Sequence, residues 1–247
     1  MGLAVLTTGS VPGMHSALAA VATLVALAFA FSTFERWLAR RRRHELAWSV
    51  SLAMFAVGAG ALWWGASAGW DPISFRLFYL FGAVLNVPFL ALGTVYLLGD
   101  QRRTDRWAVV VALTAAFAAG VVLSAPLTGE ISADVLPQGS EVFGPLPRVL
   151  AAVASGAGAT VVLAGAVWSA FKRRLVVANL VIALGVLTLS ASGLLNSVMD
   201  EMDGFAVSLA AGIVILFTGF LLATPAPAAA RVRLVSAGRD EAASRPA

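Results

Sequence analysis

The chain has 247 residues, of which 60% are apolar and only 12% are charged, and its formal net charge is +4. An ordinary soluble domain is about one quarter charged, so this chain has too few polar side chains to cover a water-facing surface. Composition therefore excludes a soluble globular fold, the absence of cysteine excludes a disulfide scaffold, and a polytopic membrane protein remains.

Uncharged stretches mark the expected membrane spans. Between its Asp, Glu, Lys and Arg residues the chain has seven uncharged stretches of at least about 20 residues, which is the length that a membrane-crossing helix needs. Helix is expected because each unpaired backbone group facing lipid would cost several kcal/mol. Trimmed at proline, glycine and charge, predicted helices 1 to 7 cover about residues 16–37, 46–68, 77–98, 107–125, 149–171, 175–198 and 205–223. The expected fold is an all-α integral membrane protein with a seven-transmembrane-helix bundle over 1–223 and a disordered tail over 224–247.

The basic residues predict the orientation of this bundle. Of the 17 basic residues, only Arg76 and Arg148 fall in connections on one side, and the others fall on the opposite side or in the tail. The positive-inside rule makes the basic side cytoplasmic, so we expect the N-terminus outside and the C-terminus inside. A pI near 10.6 then reflects topology, and no nucleic-acid partner is expected. Arginine-rich composition favours the inner (plasma) membrane of a GC-rich bacterium.

Predicted helix 3 carries a stripe of polar and small residues at helical spacing. Its members are Arg76, Tyr79, Gly82, Asn86 and Gly93. Asn86 is expected near mid-membrane, and the ring of Pro88 would free a backbone carbonyl beside it. One interpretation is an outward-facing ligand pocket lined by Arg76, Tyr79 and Asn86. The other is that Asn86 hydrogen-bonds a neighbouring helix while the glycines allow close packing, which is the commoner role of such residues.

Predicted helix 6 carries two polar lines that lead towards an acidic outer end. The residues singled out there as ligand-binding candidates are Ser190, Ser192, Asn196, Ser197, Asp200 and Asp203. They are arranged to line an aqueous vestibule with acids that attract cations at its mouth. The alternative is packing of small residues beside a solvated loop, since serines in membrane helices commonly pack or bond locally.

Small residues on predicted helices 2 and 5 favour close helix contacts. Gly58 and Gly60 lie on the first, and Ser155 and Ala159 form a small-xxx-small pattern on the second. These faces predict packing within the chain, or contact with a membrane-protein partner or a second copy. The outer segment 126–147 is long enough to be functional or disordered rather than a simple connection.

The residues needed for common membrane enzymes are missing. His15 and His44 are the only histidines and lie on opposite sides of the predicted membrane, so one chain cannot form a multi-histidine metal centre. The only lysine, Lys172, lies in an inner basic cluster, which excludes a conventional retinal Schiff base. Cysteine is absent as a nucleophile. We therefore expect no enzyme activity, no cofactor and no metal.

The expected function is binding rather than catalysis. We predict a sensor, binding or scaffold subunit with a polar outward-facing site, embedded in the lipid bilayer. The alternative is a small-solute or ion transporter with a midplane site on predicted helices 3 and 6.

Overall fold

The computed structural model describes residues 12–171, 176–198 and 202–223, and within these ranges the chain forms eight helices and no strand. Side chains are described over the same ranges except 12–15, 170, 179, 190–198, 202–206 and 223. The helices are α1 (Pro12–Arg40), α2 (Arg43–Ala68), α3 (Pro72–Leu98), α4 (Gln101–Ser124), α5 (Gly139–Val142), α6 (Pro145–Phe171), α7 (Val176–Val198) and α8 (Met202–Ala223). Predicted helices 5, 6 and 7 correspond to α6, α7 and α8.

Five of these helices, α1, α2, α3, α4 and α6, are long and apolar enough to cross a membrane. In α7 and α8 the described apolar stretches are shorter and cover Val176–Leu189 and Val207–Leu222. The all-helical, membrane-type fold expected from composition is confirmed to this extent. The count of seven spans and their orientation remain predictions.

Two helices, α3 and α4, begin five and six residues earlier than the uncharged stretches predict, because aspartates cap their first turns. α3 starts at Pro72 rather than residue 77, and the Asp71 carboxylate accepts hydrogen bonds from the amides of Ile73 (2.7 Å) and Ser74 (3.1 Å). These amides lower the pKa of Asp71, the Ser74 amide having the larger effect. α4 starts at Gln101 rather than residue 107, with Asp100 as its cap. Trimming at charge therefore shortens a helix whose first turn lies outside the apolar stretch.

α2 is the central helix of the bundle and α4 is peripheral. In the most apolar 18-residue stretch of α2, 61% of the residues are buried inside the protein. In the corresponding stretch of α4 the buried share is 11%. α2 packs against α1 and α3, α3 also packs against α6, and α7 pairs with α8. α3 thus lies between α2 and α6 and is held on both sides.

Small residues make these contacts close. A Cβ atom on Gly58 of α2 would lie 2.9 Å from the backbone nitrogen of Gly82 in α3. A Cβ on Gly158 of α6 would lie 2.8 Å from Cγ1 and 3.0 Å from the carbonyl oxygen of Val87. The small-residue faces predicted on helices 2 and 5 therefore provide contacts within one chain, on both sides of α3.

The outer segment between α4 and α6 folds back onto the bundle. We call residues 126–144 the outer cover, after the side of the membrane that the sequence predicts for them, and the helix ends that they contact the outer ends. Val142 and Phe143 are buried there, and the Phe143 ring centroid lies 5.2 Å from that of Phe75 and 4.9 Å from that of Tyr79. The Trp70 amide donates a hydrogen bond to the Ala133 carbonyl oxygen at 3.0 Å. The outer cover is therefore an ordered element that closes over the outer end of α3.

Candidate functional site

α3 is one continuous helix that changes its hydrogen-bond register near its middle. It is α-helical over Pro72–Leu77, π-helical over Phe78–Leu85 and α-helical again over Asn86–Leu98. Pro88 has no amide hydrogen, so it offers no donor to Ala83, five residues earlier, or to Val84, four residues earlier. The Ser155 hydroxyl of α6 donates instead to the Ala83 carbonyl oxygen at 2.5 Å. A neighbouring helix thus supplies a donor to one of the two carbonyl oxygens that Pro88 cannot pair with.

Asn86 lies immediately after the π-helical segment and is 8% exposed. Its backbone carbonyl oxygen accepts a hydrogen bond from the Ser51 hydroxyl of α2 at 2.7 Å. Its side-chain oxygen, Oδ1, is buried without a hydrogen-bond partner. The centre of α3 thus combines a π-helical segment with an unsatisfied acceptor.

Two further buried polar atoms without a partner lie on α2. They are Glu45 Oε2 and Trp48 Nε1, and with Asn86 Oδ1 they complete the set found among the described side chains. Glu45, Trp48 and Ser51 follow one another at intervals of three residues, which is about 4.5 Å along a helix axis. The Trp48 indole packs against Gly93 of α3, where an added Cβ would lie 2.4 Å from Nε1. We call Glu45, Trp48, Ser51 and Asn86 the inner polar line, since it leads from the start of α2 to the middle of α3.

The structure places Arg76 and Tyr79 away from this line. The Arg76 guanidinium donates to the carbonyl oxygens of Val122 and of Ala125, the latter at 2.6 Å, at the end of α4. Tyr79 is 9% exposed and lies beneath Phe143 of the outer cover. A π-helical turn contains more residues than an α-helical turn, so the spacing that aligned Arg76, Tyr79 and Asn86 does not carry across Phe78–Leu85.

The candidates on predicted helix 6 fall outside what the structure describes. Asp200 lies outside the described residues. For the other candidates the structure describes the backbone but not the side chains; these are Ser190, Ser192, Asn196, Ser197 and Asp203.

Sequence reasoning missed Glu45, Trp48 and Ser51. The prediction begins helix 2 at residue 46, which leaves Glu45 in the preceding basic loop, whereas the structure buries it at 5% exposure in the first turn of α2. The sequence did contain one signal for them, because the first part of helix 2 has a polar or amphipathic residue at every third position. Burial of a carboxylate depends on neighbouring helices, and that information is not local.

The inner polar line supplies two acceptor oxygens and one N–H donor, but Glu45 and Ser51 lie about 9 Å apart along the axis of α2. These atoms therefore suit donor groups or bound water at successive points rather than one small ligand that contacts all three. Within the described residues, no group of three or more His, Cys, Asp or Glu side chains is placed to hold a metal ion. Comparisons with protein-family models, curated proteins and solved structures found no match to this chain.

Proposed function

We propose that this chain is a seven-span plasma-membrane protein of a GC-rich bacterium, with its N-terminus outside, and that it binds a small polar ligand inside the helix bundle. It acts as a sensor or binding subunit rather than as an enzyme. The observation that carries the proposal is the unpartnered Oδ1 of Asn86, buried directly after the π-helical segment of α3. An unsatisfied buried acceptor costs about 1–3 kcal/mol, and a ligand that donates a hydrogen bond recovers that free energy.

The ligand class follows from the atoms available. Asn86 offers an uncharged acceptor, and the carboxylate of Glu45 lies at the start of α2. The Arg36 guanidinium is close enough to interact with the charge of Glu45, so Asn86 decides the ligand class. Its acceptor oxygen favours an ammonium or hydroxyl-bearing solute over an anion. A buried ionisable residue in a membrane helix is, by default, a functional-site hypothesis.

Access from the cytoplasm is part of the proposal. The outer cover packs Phe143 over Tyr79 at the outer end of α3. The inner polar line begins at Glu45, which is the cytoplasmic end in the proposed orientation. This differs from the outward-facing pocket expected from Arg76 and Tyr79. Because small residues of α2 and α6 already pack against α3, a protein partner or second copy would meet a different face.

Transport is the second candidate function, and the π-helical segment of α3 favours it. Such segments inside α-helices are frequent at functional sites, and secondary transporters bind substrates and ions near the bilayer midplane. A covered outer end together with a polar inner approach is also what one closed conformation of an alternating-access protein requires.

Substitution of Asn86 tests the binding proposal even while the ligand is unidentified. In purified protein free of added solute, Asn86→Leu should leave the free energy of unfolding unchanged or raise it, because it removes an unsatisfied acceptor. Thr114→Val is the matched control, since the Thr114 hydroxyl is exposed and bonds a carbonyl of its own helix. A clear loss of stability in Asn86→Leu alone would identify the amide as an interhelical bond and contradict the proposal.

A ligand panel then separates binding from transport. Alkali cations, ammonium, amino acids and sugars are compared by thermal shift and by uptake into proteoliposomes. Stabilisation that Asn86→Leu abolishes and Thr114→Val retains supports a binding site. Uptake with the same dependence on Asn86 supports transport, whereas binding without uptake supports a sensor or binding subunit.

A further inference from the structure

We infer that the α1–α2 and α3–α4 loops together form a binding site for the phosphate headgroup of an anionic phospholipid. Both loops lie at the same end of the helices. Arg41 and Arg42 separate α1 from α2, and Gly99 and Asp100 separate α3 from α4. The site uses neither Asn86 nor the inner polar line, so it stands independently of the proposed function.

One carboxylate links the helices that flank the two loops. Asp105 of α4 forms an ion pair through Oδ1 with the guanidinium of Arg43 in α2. The Tyr96 hydroxyl of α3 donates a hydrogen bond to the same oxygen at 2.9 Å. The starts of α2 and α4 and the end of α3 are therefore joined into one surface.

This surface presents a cluster of exposed arginines. They are Arg40, Arg41, Arg42, Arg102, Arg103 and Arg106. None of the six has a carboxylate partner among the described residues. A guanidinium presents a planar fork of donors that matches two oxygens of a phosphate. Charge and geometry thus both complement a phosphate-bearing anion.

Two tryptophans place the cluster at headgroup depth. The Arg41 guanidinium lies 5.0 Å from the centroid of the Trp37 ring. Trp107, next to Arg106 in the chain, is 61% exposed. Indole rings favour the membrane–water interface, so the arginines lie at the level of lipid phosphates. This depth commits the occupant to a lipid of the adjoining leaflet rather than to a soluble phosphate.

Arg41 adopts a backbone conformation that favours glycine over arginine. Its φ is +51°, and its amide donates to the Trp37 carbonyl oxygen at 2.7 Å, as in the left-handed caps that end many helices. Glycine is favoured there because it has no Cβ, so arginine is the less stable choice for the free protein. A role for the guanidinium in binding accounts for that choice.

The test compares retention of phosphatidylglycerol with that of phosphatidylcholine by native mass spectrometry of the full chain in detergent. The wild type should retain phosphatidylglycerol preferentially. Arg41→Gly should weaken that retention roughly fivefold, the effect of one arginine near an anionic surface. Without lipid, Arg41→Gly should melt at the wild-type temperature or higher, because glycine suits the left-handed conformation. This second readout separates lost lipid binding from lost folding.

Arg148→Gln is the matched control, since Arg148 is exposed and lies at the opposite end of the bundle. It should retain phosphatidylglycerol as the wild type does, and added inorganic phosphate should not displace the lipid. Three results would overturn the inference: equal retention of the two lipids by the wild type, equal loss in Arg41→Gly and Arg148→Gln, or displacement of lipid by inorganic phosphate.

Discussion

Ser155 of α6 donates a hydrogen bond to the carbonyl oxygen of Ala83 in α3, with 2.5 Å between the two oxygens. This carbonyl would face residue 88 in a π-helical register, and proline cannot donate to it. The bond therefore links the π-helical segment of α3 to the helix beside it. It also gives this carbonyl a donor inside the bundle, where a membrane provides no water to pair it.

Ser155→Ala should lower the free energy of unfolding by about 1 kcal/mol, because a half-buried carbonyl oxygen loses a donor. The matched control is Ser124→Ala. The Ser124 hydroxyl is exposed and bonds the carbonyl oxygen of Gly120 in its own helix, so its loss should change stability by less than about 0.5 kcal/mol. Denaturant titration in detergent measures both. Equal effects would show that the Ala83 carbonyl does not depend on Ser155.

Gly58→Ala should destabilise the protein by about 1–3 kcal/mol, because the added methyl group meets the rigid backbone of Gly82 at 2.9 Å. Gly156→Ala makes the same chemical change where no atom lies within 4 Å of the new Cβ. We expect it to be neutral or stabilising by up to about 1 kcal/mol through helix propensity. Thermal unfolding of the two variants in the same detergent measures the difference in stability between them. Equal melting temperatures would show that the α2–α3 contact is loosely packed.

Arg76→Gln should loosen the outer end of α4. The guanidinium satisfies carbonyl oxygens of Val122 and Ala125, and α4 has few other buried contacts. Hydrogen bonds from a charged donor contribute about 1.5–3 kcal/mol each, so we expect faster amide exchange over residues 119–127 and a lower melting temperature. Arg148→Gln serves as the control for loss of an outer positive charge. If amide exchange is unchanged in Arg76→Gln, the Arg76 guanidinium does not stabilise the end of α4 and is available to contact a ligand.

Asp71→Ala should cost about 1 kcal/mol near neutral pH, because it removes the cap of α3. Backbone amides of Ser74 and Ile73 lower the folded-state pKa of Asp71, so its stabilising effect is complete above the unfolded-state pKa, near 3.8. That effect disappears as the pH falls through the lower folded-state pKa. The difference in unfolding free energy between the wild type and Asp71→Ala should therefore shrink below about pH 4.

Asp71→Asn provides the control for this pH dependence. Asparagine also caps helices well, but its side chain does not titrate. Its stability relative to Asp71→Ala should stay constant across the same pH range. A difference between the wild type and Asp71→Ala that persists at low pH would assign the effect to packing instead of the carboxylate charge.

The sequence by itself determined the class of fold and the positions of the apolar helices, because charged side chains are too costly in hydrocarbon to interrupt a span. It also predicted a freed carbonyl near Pro88, since that follows from the covalent structure of proline. Only the tertiary structure decided that Ser155 pairs with that carbonyl, that Arg76 binds the end of α4, and that Glu45 is buried. Each of these depends on which helices are neighbours and how they are rotated. Periodicity along a single helix does not contain that information, and the π-helical segment of α3 changes the periodicity itself.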